Sequence, residues 1–415
     1  MDYMSLNEAA HKWKVSSSEI EKLCFMGLIP NAVKIGKTWM IPANTKWPVK
    51  YKVENNKDIL SDKILLSPRE CPLSLMTDLY NTPGSGDDLV GKYKEQPQIA
   101  LFLKAQLDYF RGDYDLAYTQ TRSFMSYPVC FDIQVGVGIL LSLCASIRGD
   151  LLLWEEAKQY VASISCQNRD ERHRLAFWLA AIDSIIDDGT TFPKWFQHGS
   201  FDLLPRDAFP FVYFFYVKYL LLGAQEALSS SKSKNHQYNL LMTMISAACE
   251  PLISQVKIVK AILPEIYLRL LCAITYYNTG DEDMAIIHLD RAIELALPDQ
   301  LFSPFAEIRQ SFGYLLDDRL AKFDEKALQK VKTLNKKVFD GWLLLHNMKL
   351  GRTKSSELTI REREVAKLAV YGYTNAEIAE RLHVSLNTVK QALWHAMNKT
   401  GCKKRQELVK YLRSF

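Results

Sequence analysis

Metal-ligand spacing is missing from this sequence. Its eight cysteines (Cys24, Cys71, Cys130, Cys144, Cys166, Cys249, Cys272 and Cys402) are scattered over 415 residues, and no two stand in a CxxC pair. That excludes a disulfide scaffold and predicts reduced, buried thiols in a cytoplasmic protein. The eight histidines show no metal spacing either, so no metal ligand is assigned. Long apolar runs are also missing. The two longest span 135–147, ended by Arg148 and Asp150, and 209–222, interrupted by Lys218. Each falls short of the ~20 apolar residues a membrane span requires, so both are expected to be buried helices. Asn7, Glu8, His11, Lys12 and Lys14 leave no room for a signal peptide at the start.

Catalytic motifs are wanting too. There is no HExxH and no GxGxxG after a strand. Gly36-Lys37-Thr38 invites a phosphate-loop reading, but the loop would need glycine at position 31, which is Asn31. No cofactor, no ATP site and no enzymatic role are expected.

Arginine is absent from residues 1–57, yet that segment carries nine lysines against five acids, a charge of +4. Residues 351–415 carry +7 and the 58–350 stretch −6. Two small basic ends flank a large acidic middle, which suggests polyanion contact at both termini.

The middle is helical in pattern from about residue 99 to 349, with no strand-like alternation. Three apolar stretches end in Gly-Asp: Gly112-Asp113, Gly149-Asp150 and Gly280-Asp281. Each reads as helix, tight turn, helix. Glycine takes the left-handed conformation that ends the first helix, and aspartate caps the second. The first two turns lie 37 residues apart, close to the ~34-residue period of tetratricopeptide-type hairpins. Such hairpins bury one face each and must stack, so an α-helical, TPR-like solenoid is the expected architecture. Between residues 165 and 265 the turn motif is lost. The seven aromatics from Phe209 to Tyr219 occupy too many helix faces for one ligand box and read as core. Residues 81–88 (NTPGSGDD) read as a loop.

The C-terminal stretch LTIREREVAKLAVYGYTNAEIAERLHVSLNTVKQALWHAMNKTGCKKRQELV carries two capping boxes, Thr359/Glu362 and Thr374/Glu377. Ser385 opens a further helix after a turn of about three residues, which is helix-turn-helix spacing. Val389, Leu393 and Ala396 face inward, and Asn387, Thr388, Lys390, Gln391 and Trp394 face out. In a major groove Lys390 reaches phosphate or guanine, and Asn387 and Gln391 pair with adenine edges. The stretch resembles the LuxR-type DNA-binding domain throughout. Residues carrying the resemblance include Leu358, Arg361, Glu364, Gly372, Asn375, Ile378, Val384, Thr388, Val389, Lys390, Lys399, Gly401 and Arg405. Ala392, Met397 and Thr400 depart from the family's usual histidine, aromatic and leucine. The resemblance implies a homodimer paired through a last helix near 405–412.

At the other end, Ser5/Glu8 and Ser16/Glu19 are capping boxes of two helices joined at Lys14-Val15-Ser16. Gly27 and Pro30 stop the second, and Val33-Lys34-Ile35 and residues 38–41 flank Gly36-Lys37 as a type II′ hairpin. The segment SLNEAAHKWKVSSSEIEKLCFMGLIPNAVKIGKTWMIP resembles excisionase and MerR-type winged helix-turn-helix domains. That implies Ser17, Ser18 and Lys22 in a groove and Lys34 and Lys37 of the wing on the backbone. Such units contact protein in some cases, and that alternative stands open here. Residues 273–308 are similar to the last helical repeats of MalT-like regulators, without their ATPase module.

The sequence therefore divides into 1–52 (winged helix-turn-helix), 53–64 (linker), 65–350 (TPR-like helical domain), 351–357 (linker) and 358–415 (LuxR-type domain). The expectation is a mainly α, cytoplasmic bacterial transcription regulator of double-stranded DNA. Its middle would sense a peptide or small molecule or pair protomers, with RNA polymerase a further partner and no membrane contact. The alternative is a scaffold touching DNA through its C-terminal domain alone.

Overall fold

The computed structural model describes residues 3–17, 20–21, 24, 29, 32–35, 38–45, 80–126, 130–186, 192–204, 208–230, 234–349 and 358–408. Both expected linkers lie outside them.

In the N-terminal unit, β1 (Tyr3–Ser5) leads directly into α1 (Leu6–Trp13). Ser5 and Glu8 form the expected capping box, the Glu8 amide donating to Ser5 Oγ at 3.4 Å and the Ser5 amide to Glu8 Oε2 at 2.6 Å. Lys14, at φ 56°, ends the helix. Strands β2 (Val33–Ile35) and β3 (Thr38–Pro42) pair antiparallel with Ile35 opposite Thr38. Strand β1 adds to the other edge of β3, with Met4 opposite Ile41. Periodicity did not reveal it, because three residues are too few to alternate visibly. Met4, Ala9, Ile20, Cys24, Ile29 and Ile41 make a small separate core.

The middle is mainly helical, with no strand among its described residues. In order come α2 (Gly86–Lys92), α3 (Pro97–Arg111), α4 (Tyr114–Ser123), α5 (Phe131–Arg148), α6 (Leu151–Ala162), α7 (Arg169–Asp183) and α8 (Lys194–Gln197). They are followed by α9 (Phe209–Ser230), α10 (Lys234–Ile258), α11 (Ile262–Thr279), α12 (Glu282–Ala296), α13 (Ser303–Ile308), α14 (Leu315–Phe323) and α15 (Glu325–Lys349). Helix α2 begins inside the stretch read as loop. Buried Asp299 organises it, accepting from Tyr80 Oη at 2.6 Å, the Gly84 amide at 2.6 Å and the Gly86 amide at 2.9 Å. A partner more than 200 residues away is invisible to local pattern.

All three Gly-Asp turns form. Gly112, Gly149 and Gly280 stand at φ 87°, 64° and 91°, the left-handed region that costs glycine least. Asp150 caps α6 through the Leu153 amide at 3.0 Å, and Asp281 caps α12 through the Met284 amide at 3.2 Å. Asp113 makes no such cap.

Sequential helices pack as antiparallel neighbours, α3 on α4, α5 on α6 and α11 on α12. The array also closes on itself. Helix α15 returns across α5, so close that a Cβ on Gly341 would lie 1.9 Å from the Ile147 carbonyl oxygen. Ser303 of α13 donates to the Tyr109 carbonyl at 2.5 Å. A nearest-neighbour stack has no such contacts. Helix α5 is apolar and long enough to cross a membrane by composition, yet 78% of it is buried among its neighbours, as expected of a core helix. The aromatic helix α9 is core as well. Phe215 sits edge-on to Phe177 and Trp178, each with centroids 5.7 Å away.

Candidate nucleic-acid interface

The C-terminal unit is built of α16 (Ile360–Val370), α17 (Asn375–Arg381), α18 (Leu386–Thr400) and a 3-10 turn at Arg405–Leu408. Both capping boxes form, Thr359 with Glu362 and Thr374 with Glu377. Between α17 and α18 the chain reverses at His383, φ 50°, and the Val384 amide donates to the Ala379 carbonyl at 2.9 Å. Ser385 Oγ then accepts the Thr388 amide at 3.1 Å and opens α18. The turn geometry, and with it the angle of α18, is thus fixed by local hydrogen bonds.

Helix α18 buries Val389, Ala392, Ala396 and Thr400, a stripe at helical spacing against α16 and α17. The opposite face carries Asn387, Lys390, Gln391 and Trp394 into solvent, Trp394 at 62% exposure. These are four of the five outward residues expected. The fifth, Thr388, is half-buried, with its hydroxyl 2.8 Å from Ser385 Oγ, and belongs to the cap. Lys390 is exposed and forms no ion pair with another described residue. His395 and Asn398 extend the same exposed face.

The residues that depart from the resemblance all lie on the inner side. Ala392 is buried, Met397 packs on the core and Thr400 Oγ1 donates back to the Ala396 carbonyl at 2.8 Å. None of the three lies on the exposed face.

Much of the local positive charge is engaged elsewhere. Lys399 donates to Glu362 at 2.7 Å, and Arg405 to the Ala369 carbonyl at 2.9 Å, holding the helices together. Arg361, Lys367 and Arg381 turn toward the middle domain. Arg381 Nη2 donates to the Asn278 carbonyl at 2.7 Å and the Tyr277 carbonyl at 3.2 Å, capping the end of α11. Tyr277 donates to Glu364 at 3.3 Å, and Lys367 to the Ser311 carbonyl at 3.2 Å. Burial lifts the Glu364 carboxyl above its usual range and pulls the Lys367 ammonium down to about 7. Tyr371 stacks on Tyr238 with centroids 3.8 Å apart. The α16 side of the unit is therefore a docking face, and α18 points away from it.

This docking face was not read from the sequence. Its one local signal is Gly280, where a Cβ would sit 3.2 Å from Arg381 Nη2. Among the described residues, exposed Lys390, Lys403 and Lys404 remain for a polyanion on this unit.

In the N-terminal unit, Ser17 is half-buried and its hydroxyl donates to Asn7 Oδ1 at 2.8 Å. Lys34 lies on β2, opposite Trp39 of β3. Ser18, Lys22 and Lys37 lie outside the described residues.

Residues 356–412 match the family described as bacterial regulatory proteins, luxR family. The oxygen regulatory protein NreC of Staphylococcus aureus, strains JH9 and JH1, is 48% identical over 54 residues, covering 13% of this chain. The match spans only 25% of the length of these curated relatives. No solved structure matches the chain.

Proposed function

We propose, from the premise that residues 356–412 are a luxR-family helix-turn-helix domain, that this protein is a non-enzymatic, sequence-specific regulator of transcription. The observation that carries the reading is the exposed face of α18. Asn387 and Gln391 present bidentate amides one turn apart, with Lys390 between them and free of described acids. A helix so presented fits the major groove, and the Ser385 cap sets its N-terminus toward the DNA.

The cellular setting of this reading is the bacterial cytoplasm, where the DNA is. The helical middle serves as sensor or assembly domain, and its resemblance to regulator repeats supports that role. A single such unit makes a small interface, so two protomers on half-sites one turn apart are the binding form. The N-terminal unit acts as a second, winged DNA contact through Lys34 and Lys37. RNA polymerase is the natural downstream partner.

The test is selection of bound sequences from random duplexes by the full-length protein, followed by footprinting. Recovery of a two-fold symmetric site protected over both half-sites supports the proposal. Equal retention of all sequences, or an unaltered pattern after Lys390→Ala and Gln391→Ala together, overturns it.

A further inference from the structure

Four residues that sequence spacing scatters meet where α10, α11 and α12 pack together. Cys249 and Glu250 lie on α10, Cys272 on α11 and His288 on α12. His288 Nε2 stands 3.0 Å from Glu250 Oε1 and 3.7 Å from Cys272 Sγ. One donor atom each from Glu250, Cys272 and His288 lies within 4.8 Å of the others. Cys249 adjoins them as a hydrogen-bond partner of the Cys272 thiol.

From this convergence we propose that Cys272, His288 and Glu250 form a site for a borderline-soft divalent ion of the zinc class, with Cys249 as its neighbouring thiol.

The donor set is one that zinc selects: thiolate, imidazole and carboxylate. Its charges balance, since a thiolate and a carboxylate together neutralise a divalent ion. Two of the three donor–donor spacings agree as well. With Zn–S of about 2.3 Å and Zn–N of about 2.0–2.1 Å, tetrahedral coordination requires an S···N edge of roughly 3.6 Å and an N···O edge of roughly 3.3 Å. The observed 3.7 and 3.0 Å lie within a few tenths of an ångström of these.

The surroundings are those of a built site. Cys249, Cys272 and His288 are almost fully buried, while the Glu250 side chain is 43% exposed and opens a path from solvent. Tyr276 stacks on the His288 ring, centroids 5.5 Å apart and 15° from parallel, and its hydroxyl donates to Glu250 Oε1 at 3.4 Å. One aromatic side chain thereby orients two of the three donors. Binding forms the metal–sulfur bond at the expense of the Cys272 S–H bond, whose proton leaves to solvent, and the metal–nitrogen bond uses the lone pair of His288 Nε2, with the ring proton carried on Nδ1.

The site also has a place in the molecule. Cys272 lies little more than a turn before Tyr277 and Asn278, whose carbonyls hold Arg381 of the helix-turn-helix unit. An ion that ties α10, α11 and α12 together stiffens the platform on which that unit docks.

The experiment is titration of reduced, metal-free full-length protein with cobalt(II), followed by displacement with zinc(II). The expected result is one cobalt per chain, with a thiolate-to-cobalt charge-transfer band in the near ultraviolet and the intense visible bands of a tetrahedral centre. Cys272→Ser should abolish the charge-transfer band. Glu250→Gln, at a half-exposed position that the fold tolerates, should weaken binding at least about tenfold. No uptake at micromolar free cobalt or zinc overturns the proposal, as does uptake that Cys272→Ser and Glu250→Gln both leave unaltered. Isolation of the protein with a Cys249–Cys272 disulfide that persists under mild reduction also overturns it.

Discussion

Lys390 and Arg381 are both basic residues of the helix-turn-helix, and the structure gives them opposite tasks. Lys390 projects into solvent from α18, whereas Arg381 spends its guanidinium on two backbone carbonyls of α11 and lies over the Tyr373 ring. Lys390→Ala is expected to weaken DNA binding by ~1–3 kcal/mol with helicity unchanged. Unchanged affinity in a mobility-shift titration would remove Lys390 from the interface. Arg381→Ala strips charge-assisted bonds from the docking face, each worth about 1.5–3 kcal/mol. Calorimetry should then show the C-terminal unit melting apart from the middle domain, while circular dichroism of the native state stays the same. A single transition at the wild-type temperature would show that the docking contacts carry no energy.

At the scale of the element, caps and buried polar groups decide stability. Thr374→Ala removes the N-cap of α17, and a loss of about 1 kcal/mol in urea unfolding is expected. Thr374→Ser should recover most of it. Helix α13 places Glu307 between Tyr109, which donates at 2.9 Å, and Tyr267, which donates at 3.0 Å. Burial pushes its carboxyl up to about 7, against those two hydrogen bonds and the charge of Lys218. An acid whose pKa is raised on folding favours the folded state while protonated. Stability should therefore fall as pH rises from 4.5 to about 7 and level off above. The contribution is roughly 1–3 kcal/mol. Glu307→Gln should flatten this part of the pH profile in urea unfolding. An identical profile for the variant would place the slope on other carboxylates.

Across the whole molecule, formal charge overstates what DNA meets. The last 65 residues carry +7, yet Arg361, Lys367, Lys399, Arg381 and Arg405 all bond within the protein. On the proposed function, a second basic contact at the other end then matters more. If Lys34 and Lys37 touch phosphate, replacing both by Ala in the full-length protein flattens the dependence of log affinity on log salt by up to about two counterion units. An unchanged slope assigns the N-terminal unit to protein contact. Tethering gives the second contact an effective concentration up to about millimolar, so the loss should exceed that of the isolated charges.

What the sequence determined by itself was local. Capping boxes at Ser5, Thr359 and Thr374, left-handed Gly112, Gly149 and Gly280, and the inward stripe of α18 all depend on residues within a turn or two, and all were legible. The exposed face of α18 followed from the same periodicity, save Thr388, whose hydroxyl the cap of its own helix recruits. Tertiary structure alone decided the rest. Asp299 converts part of a glycine-rich loop into a helix from more than 200 positions away. Helix α15 closes the array on itself through a close approach of Gly341 that no repeat period encodes. Arg381 becomes a cap for a helix of another domain, and Glu250, Cys272 and His288 converge from three helices. Hydrogen bonds and steric rules act over one turn and are written in adjacent residues. Burial, docking and the meeting of distant donors depend on how the helices pack, and linear spacing does not record it.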